Sequence, residues 1–192
     1  MKVLYHVSSI GGLTELKPHA STHGMPYVYA TENPVLSLLW GSSKSHRDLD
    51  GNYGTINNGT IKTPYFKEAF KNSFKERFKG ETCYIYSVSA ETFEHKTGFK
   101  SELVSEVPVK VISCTRVNDL YARLQEEIKQ GNFVLQKYDS KNKEYVEQMN
   151  QHILRTLLND RALYDPTSKS YNFVRKKFPK LVKKAIHMEN KK

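Results

Sequence analysis

The segment Tyr27-Val28-Tyr29-Ala30-Thr31 predicts a short apolar and aromatic strand, and a helix start follows it directly. Residues two apart on a strand share a face, so Tyr27 and Tyr29 are expected side by side. Asn33 is a favourable capping residue, and Pro34 suits the first helical position because an N–H has no intrahelical partner there. This strand-to-helix transition predicts a fold that mixes strands with helices.

Two further short segments predict strands earlier and later in the chain, namely Leu4-Tyr5-His6-Val7-Ser8-Ser9 and Ser101-Glu102-Leu103-Val104-Ser105-Glu106-Val107-Pro108-Val109. Each carries a polar group able to face a ligand, His6 in the first and Glu102 in the second. Glu102 opens a strongly apolar strand, where a carboxylate can reach into a cleft while its backbone stays anchored. A lone strand histidine and a tyrosine pair are most often structural, so these residues gain interest only if the three segments meet.

The rest of the first 140 residues predicts alternating strands and helices. Four phenylalanines spaced by four residues predict a helix over 65–79 whose apolar stripe serves the core (Phe66, Phe70, Phe74 and Phe78). Residues 42–63 are polar and predict a long surface loop, with a hairpin near Asp50-Gly51 or Asn58-Gly59. Strands are predicted over 82–89, 103–113 and 133–138. A helix capped by Asn118 and closed by Gly131 is predicted between the last two.

Beyond residue 140 the spacing of apolar residues is that of amphipathic helices. Two such helices are predicted, separated by Asp165-Pro166. The fold class is therefore predicted as α+β, with 1–140 as one domain and 141–192 as a basic helical extension.

Positive charge is concentrated at the carboxyl end of the chain. The 192 residues carry a formal net charge of +10, and from Tyr164 onward nine Lys or Arg face only Asp165 and Glu189. A basic segment of this kind predicts contact with nucleic-acid phosphates. The candidate contacts are Arg175, Lys176, Lys177, Lys180, Lys183 and Lys184. The alternative is a solvated, lysine-rich helix that only favours solubility.

Several classes of site and location are not supported by the sequence. No Cys or His pair has zinc-ligand spacing, so no metal is expected. The chain has no Walker A loop, no Gly-x-Gly-x-x-Gly fingerprint and no Gly-x-Ser-x-Gly elbow. It lacks a secretory pattern at its start and an apolar stretch long enough for a membrane span, so a cytoplasmic protein is expected.

The three strand segments resemble motifs of the ADP-ribosyltransferase superfamily. The similarity is to the branch with a His-Tyr-Glu triad, which includes diphtheria-like toxins and the poly(ADP-ribose) polymerases. It covers roughly residues 1–138, although only about twenty positions carry it. The resemblance implies a split β-sheet with flanking helices and a cleft that binds NAD in a bent form.

The resemblance also implies roles for individual residues. His6 would hydrogen-bond ribose hydroxyls, Tyr27 or Tyr29 would stack on nicotinamide, and Glu102 would stabilise the oxocarbenium-like state as nicotinamide leaves. The implied catalytic set is thus His6, Tyr27 and Glu102. The NAD-binding set would add pocket-lining residues, giving His6, Val7, Ser8, Tyr27, Tyr29 and Thr31. The acceptor of ADP-ribose would be a macromolecule, either nucleic acid or protein.

Two positions depart from the family pattern. Many members place glycine after the histidine, where its backbone grips the carboxamide, and this chain has Val7. Arginine-modifying relatives place Glu or Gln two residues before the catalytic glutamate, and this chain has Lys100, so a nucleic-acid acceptor is favoured. The rival hypotheses are a non-catalytic nucleotide- or nucleic-acid-binding module on the same fold, and a partner-binding protein.

Overall fold

The computed structural model describes residues 2–20, 24–44, 46, 48–58, 61–160, 165–168 and 170–190. Lys169, Lys191 and Lys192 of the basic segment, and Gly59 of the predicted hairpin, lie outside the described residues. The protein is mixed α+β, with antiparallel strand pairing in its sheets.

The described part of the chain has groups of strands separated by single helices up to β10, and three helices follow β10. The strands are β1 (Val3–Ser8), β2 (Glu15–Leu16), β3 (His19–Ala20), β4 (Pro26–Ala30), β5 (Gly51–Asn58), β6 (Ile61–Glu68), β7 (Cys83–Ser89), β8 (Leu103–Ser105), β9 (Val109–Val117) and β10 (Val134–Gln136). The helices are α1 (Pro34–Leu38), α2 (Ser73–Phe78), α3 (Leu120–Lys129), α4 (Lys143–Asn159), α5 (Tyr171–Lys177) and α6 (Pro179–Glu189).

The chain forms two compact units, each built from non-contiguous segments. The first comprises Met1–Lys44, Gly54–Tyr65 and Phe78–Val134, and the second comprises Ser45–Tyr53, Phe66–Arg77 and Leu135–Lys192. The helices beyond residue 140 thus share a unit with two earlier segments of the chain. The predicted division into 1–140 and 141–192 stays a prediction.

The first unit contains two sheets built from sequence-distant strands. One has the order β1-β7-β9-β2 and the other has the order β3-β4-β8. Its core consists of buried aliphatic and aromatic side chains from both sheets (Leu4, Leu16, Val28, Ala30, Tyr86, Val88, Phe93, Leu103 and Val109). Burial of this apolar surface supplies the main stabilising free energy of the unit.

The second unit is held together by helices. Buried residues from α4, α5 and α6 pack with two residues from earlier in the chain, forming one cluster (Leu49, Ala69, Ile153, Leu157, Val174, Phe178, Val182 and Ala185). The second amphipathic helix expected from the sequence is in fact two helices. Phe178 has non-helical φ and ψ of −131° and 46°, because the residue before a proline is pushed out of the helical region, and Pro179 begins α6.

The predicted loop over 42–63 is wrong in its second half. Strand β5 begins at Gly51, and β5 and β6 are neighbours in a sheet with the order β10-β6-β5. Polar residues are tolerated in β5 because it lies at the edge of the sheet in this order. Strand β5 ends at Asn58 and β6 begins at Ile61, and the hairpin position expected at Asn58-Gly59 falls partly outside the described residues.

The predicted helix over 65–79 is also wrong. Its first part belongs to β6, and α2 starts only at Ser73, after Asn72 adopts a positive φ of 66°. The stripe nevertheless serves the core as expected, since Phe66, Phe74 and Phe78 are buried.

Two smaller corrections concern the segment from 103 to 131. The single strand expected over 103–113 is divided into β8, which pairs with β4, and β9, which pairs with β7. The cap of α3 is Asp119, whose Oδ1 accepts from the Ala122 N–H at 2.9 Å, rather than Asn118. Gly131 follows the end of α3 with a φ of 77°, as expected for a glycine that closes a helix.

Candidate functional site

The three segments singled out in the sequence lie on adjacent strands. Tyr5 of β1 and Thr31 exchange two backbone hydrogen bonds, of 2.8 and 3.0 Å. On its other side, β4 pairs with β8, with Ala30 opposite Leu103. The order β1–β4–β8 therefore places His6, the tyrosines and the residue that precedes β8, Glu102, on neighbouring backbones.

The sheet opens between β1 and β4 immediately after the Tyr5–Thr31 pair. In a regular antiparallel ladder the Val7 N–H would next bond the Tyr29 carbonyl. Here that carbonyl instead accepts a hydrogen bond from Nδ1 of His6 at 2.7 Å. Within the described residues, Tyr5–Thr31 is the one backbone pair that joins β1 to β4. The His6 ring thus occupies the place where the strands separate.

The backbone of Val7 faces this opening. Hydrogen-bonding direction alternates along an antiparallel strand, so Val7 points its N–H and C=O to the same side as Tyr5, toward β4. The Val7 side chain is buried, at 9% exposure, and it lies opposite Ile85 of β7. A donor and an acceptor of the main chain are therefore directed into the split whatever side chain position 7 carries.

His6 itself is half-buried and neutral near pH 7. Burial lowers the pKa of its imidazole below the ordinary 6.5, the Tyr29 hydrogen bond partly offsets this, and the charge of His19 lowers it further. Its ring lies 6.4 Å from the ring of Tyr86, its register partner on β7. Because Nδ1 bonds a carbonyl, it must carry the proton, which leaves Nε2 of the neutral ring as an acceptor.

Tyr27 and Tyr29 are neighbours on one face of β4, as the alternation predicted. Their rings are 5.9 Å apart in an edge-to-face arrangement, and His19 lies edge-on to Tyr29 at 6.4 Å. Tyr27 is buried, at 9% exposure, whereas Tyr29 is half-buried with a shielded hydroxyl oxygen. An aromatic wall therefore borders the split, and either ring stays a candidate for stacking on a planar ligand.

Glu102 lies directly before β8, as expected for a residue that opens a strand. Its side chain is half-buried and its Oε2 atom is shielded from solvent. Its backbone is fixed by two contacts, the N–H donating to the Phe99 carbonyl at 2.9 Å and the carbonyl accepting from His95 Nδ1 at 3.1 Å. The Glu102 carboxylate is therefore attached to a backbone that two hydrogen bonds hold in place.

The pleat sets which of these side chains share a face. Register places Tyr29 opposite Val104, and alternation puts Glu102 on that same face. The Tyr5–Thr31 pair puts His6 in phase with Ala30, on the other face. The His6 and Glu102 side chains therefore project to opposite faces of the sheet, so the structure does not bring the predicted catalytic set together on one face.

The remaining predicted pocket residues are engaged in turns. Ser8 Oγ accepts from the Ile10 N–H at 3.1 Å, and the buried Thr31 Oγ1 accepts from the Asn33 N–H at 3.3 Å. Thr31 also borders a cavity that the sequence did not predict. That cavity has a volume of about 150 Å³ and is lined by Thr31, Glu32, Asn33, Leu36, Thr55, Lys62, His95, Lys100, Ser101 and Leu103. Its lining comes from five separate segments, so no local pattern could have revealed it.

The basic residues predicted to contact nucleic acid differ in their solvent exposure and ion pairing. Arg175 and Lys176 on α5 and Lys180, Lys183 and Lys184 on α6 are exposed. Lys177 is half-buried, because its ammonium pairs with Glu76 at 2.9 Å and lies 3.9 Å from the Phe70 ring centroid. The charge of Lys177 is thus partly compensated within the protein.

No metal site or membrane helix is found among the residues that the structure describes. No group of three or more His, Cys, Asp or Glu side chains in that part of the chain could hold an ion. Nor does any helix there combine the length and apolarity needed to cross a membrane. Comparison with known proteins adds no relative: no protein-family model matches this chain, and no curated protein or solved structure matches it significantly.

Proposed function

We propose that this protein is an NAD-dependent ADP-ribosyltransferase that releases nicotinamide and transfers ADP-ribose to a macromolecular acceptor. The observation that carries the proposal is the split between β1 and β4, with the His6 imidazole bonded to the Tyr29 carbonyl at 2.7 Å. The fold under this proposal is the split β-sheet of that superfamily.

The main chain at the split offers a binding site for a carboxamide. A primary amide presents one acceptor oxygen and two N–H donors. The Val7 N–H and C=O, both directed toward β4, form the complementary pair. Glycine is not required for this contact, since only backbone atoms take part. The half-buried Tyr29 or the buried Tyr27 would then stack on the pyridine ring.

In this proposal the His6 imidazole binds a ribose hydroxyl. Its Nδ1–H is fixed on the Tyr29 carbonyl, so Nε2 accepts a hydrogen bond from a ribose hydroxyl. The lowered pKa, which results mainly from burial, keeps the ring in this neutral form near pH 7. The same hydrogen bond holds the ring orientation before any ligand arrives.

Glu102 would act on the anomeric carbon. As the C1′–N bond of NAD breaks, nicotinamide leaves with the bonding electron pair and positive charge develops on the ribose. A carboxylate held in a partly buried site stabilises that charge without reorganising. The acceptor nucleophile then forms a bond to C1′ and loses its proton. Val7, Ser8 and Thr31 complete the lining of the proposed NAD site.

The acceptor that we favour is nucleic acid. Five exposed basic residues of α5 and α6 provide phosphate contacts (Arg175, Lys176, Lys180, Lys183 and Lys184). If they do so, replacing Lys180, Lys183 and Lys184 with alanine lowers the slope of log affinity against log salt by about three, since each phosphate contact contributes roughly one. An unchanged slope means that the basic helices only favour solubility.

The decisive experiment measures nicotinamide release and label transfer from radiolabelled NAD in the presence of DNA, RNA and protein acceptors. Glu102→Gln should reduce turnover by about 10²–10³-fold, the usual effect of losing one group that stabilises transition-state charge. Glu106→Gln is the matched control, because Glu106 is exposed and pairs with Lys96 at 2.8 Å. NAD at about 100 times its Kd should also stabilise the wild type by about 2.7 kcal/mol.

Different failures identify the rival hypotheses. NAD binding without nicotinamide release means a non-catalytic nucleotide-binding module. If NAD does not stabilise the protein against heat and Glu102→Gln behaves like the wild type, the transferase proposal is overturned.

A further inference from the structure

A second site adjoins the split on the side of Glu102. The cavity of about 150 Å³ is bordered by Lys100 and Ser101, which immediately precede Glu102, and by Thr31, which pairs with Tyr5. The cavity thus adjoins the end of β4 and the start of β8, but it does not contain His6 or the tyrosines.

Basic side chains from three segments line this cavity. Lys62 comes from β6, Lys100 from the turn before β8, and His95 from the segment after β7. Within the described part of the chain, neither lysine takes part in an ion pair. Two ammonium groups are therefore available to a ligand in the cavity.

The acidic residue of the lining, Glu32, is already paired. Its carboxylate forms a salt bridge with Lys2, which lies outside the lining. The hydrogen bond from Lys2 is the main reason that the pKa of Glu32 lies below its ordinary value, and the charges of Lys62 and His95 lower it further.

Hydroxyl groups supply neutral donors in the same cavity. Thr55 Oγ1 and Ser101 Oγ lie 3.3 Å apart although they are 46 residues apart in sequence. Thr31 Oγ1 accepts from the Asn33 N–H, so its own hydrogen is directed elsewhere. One hydroxyl of the Thr55–Ser101 pair donates to the other, so the lining combines two ammonium charges with two hydroxyl donors, that of Thr31 and the remaining one of that pair.

We propose that this cavity binds a phosphate monoester, specifically the terminal phosphate of a nucleotide or of a nucleic-acid end. A phosphate monoester carries a charge of about −1.5 to −2 near neutral pH and has three strong acceptor oxygens. Two lysines and two hydroxyl donors match that group better than they match a carboxylate, which has two oxygens and one charge. Lysine is a common phosphate ligand because it acts as a compact point charge.

The position of the cavity gives the phosphate a role. A nucleic acid held by its terminal phosphate next to Glu102 would present its neighbouring groups to the ribose carbon. This acceptor role rests on the proposed function, whereas phosphate binding does not.

The test compares a fluorescent single-stranded oligothymidylate with and without a 5′-phosphate, at fixed salt, by anisotropy. The phosphorylated strand should bind the wild type about tenfold or more tightly, as expected for hydrogen bonds to a charged group. Inorganic phosphate should compete for the difference. Lys62→Ala and Lys100→Ala should each remove most of the preference, and the exposed Lys17→Ala should not. Glu32→Gln should strengthen it, because a negative charge leaves the lining.

Other results would overturn the phosphate-site proposal or its assignment to nucleic acid. Equal affinity for the two strands, or a preference that survives both lysine substitutions, overturns the proposal. A phosphoserine peptide that competes better than the phosphorylated oligonucleotide overturns the assignment to nucleic acid. NAD binding to the wild type, measured in parallel, separates the two proposals: a phosphate preference without NAD binding removes the transferase function and leaves this cavity assigned.

Discussion

The hydrogen bond between His6 and Tyr29 can be tested by replacing His6 with phenylalanine. Phenylalanine keeps a planar ring beside Tyr86, whose centroid is 6.4 Å from that of His6, but it cannot donate to the Tyr29 carbonyl. The substitution therefore isolates the 2.7 Å hydrogen bond from the packing of the ring. His6→Ala removes both contributions and should cost more.

The expected cost follows from leaving a partly buried carbonyl without its donor. Such a loss typically destabilises a protein by about 1–3 kcal/mol. For a chain of this size the melting temperature should fall by roughly 2–4 °C for each kcal/mol. A loss of stability smaller than about 1 kcal/mol would mean that water replaces the imidazole as donor to the Tyr29 carbonyl without penalty.

The effect of His6→Phe should depend on pH. Burial lowers the pKa of His6 in the folded state below 6.5, so the unfolded chain binds the proton more readily. The stability contributed by the neutral ring is fully present above pH 6.5 and is lost as pH falls through the folded-state pKa. The difference between wild type and His6→Phe should therefore be largest above pH 7 and should shrink on acidification.

Urea unfolding followed by tryptophan fluorescence suits this measurement. Trp40 is the one tryptophan of the chain, and it lies in the same unit as His6, edge-on to Phe99 at 6.2 Å. His187→Phe is the control, because His187 is exposed on α6 in the other unit. A stability difference that stays constant between pH 8 and pH 5 would refute the assignment of a buried, neutral His6.

Three further predictions concern stability. Glu81→Gln should destabilise the protein by about 1.5–3 kcal/mol at pH 7, because Glu81 Oε2 accepts from both the N–H and the hydroxyl of Ser43 at 2.7 Å. Burial alone would raise the pKa of Glu81, but these bonds and Lys44 lower it overall, so the urea-unfolding difference should be complete above pH 4.5 and vanish as pH falls through the lowered pKa. Gly51→Ala should cost about 1–3 kcal/mol by circular dichroism melting, since a methyl there would overlap the Lys67 carbonyl, whereas Gly54→Ala, 3.2 Å from a Tyr65 ring atom, should cost less. Leu157→Ala should cost about 2–5 kcal/mol because Leu157 is fully buried, and a loss no greater than that of the half-buried Leu158→Ala would contradict the packing described for the helical unit.

The errors in the sequence predictions have identifiable physical causes. A four-residue repeat places Phe66, Phe70, Phe74 and Phe78 on one face of a helix, but residues four apart also share a face of a strand. The spacing alone therefore could not distinguish a helix from a strand. The first part of the segment is a strand because β6 pairs with β5. Likewise, the apolar run over 103–113 was divided because its two halves pair with different strands, β8 with β4 and β9 with β7.

Several predictions that depended on neighbouring residues succeeded, although the cap of α3 is Asp119 and not Asn118. Asn33 Oδ1 accepts from the N–H groups of Val35 and Leu36 at 2.9 and 3.1 Å, and α1 begins at Pro34. Strand β8 begins directly after Glu102, and Gly131 closes α3. Each of these features depends on hydrogen bonds or dihedral preferences within a few residues.

The sequence by itself determined where the chain forms strands in β1, β4 and β7, where α1 starts, and which residue types are available at positions 6, 27, 29 and 102. Only the tertiary structure decided that β1, β4 and β8 are neighbours, that β1 and β4 part after Tyr5 and Thr31, and that Lys62 and Lys100 line one cavity. The reason is the range of the interactions. Caps and periodicity act over a few residues, whereas strand pairing and cavity lining depend on contacts between segments that are many residues apart and are selected by the packing of the whole unit.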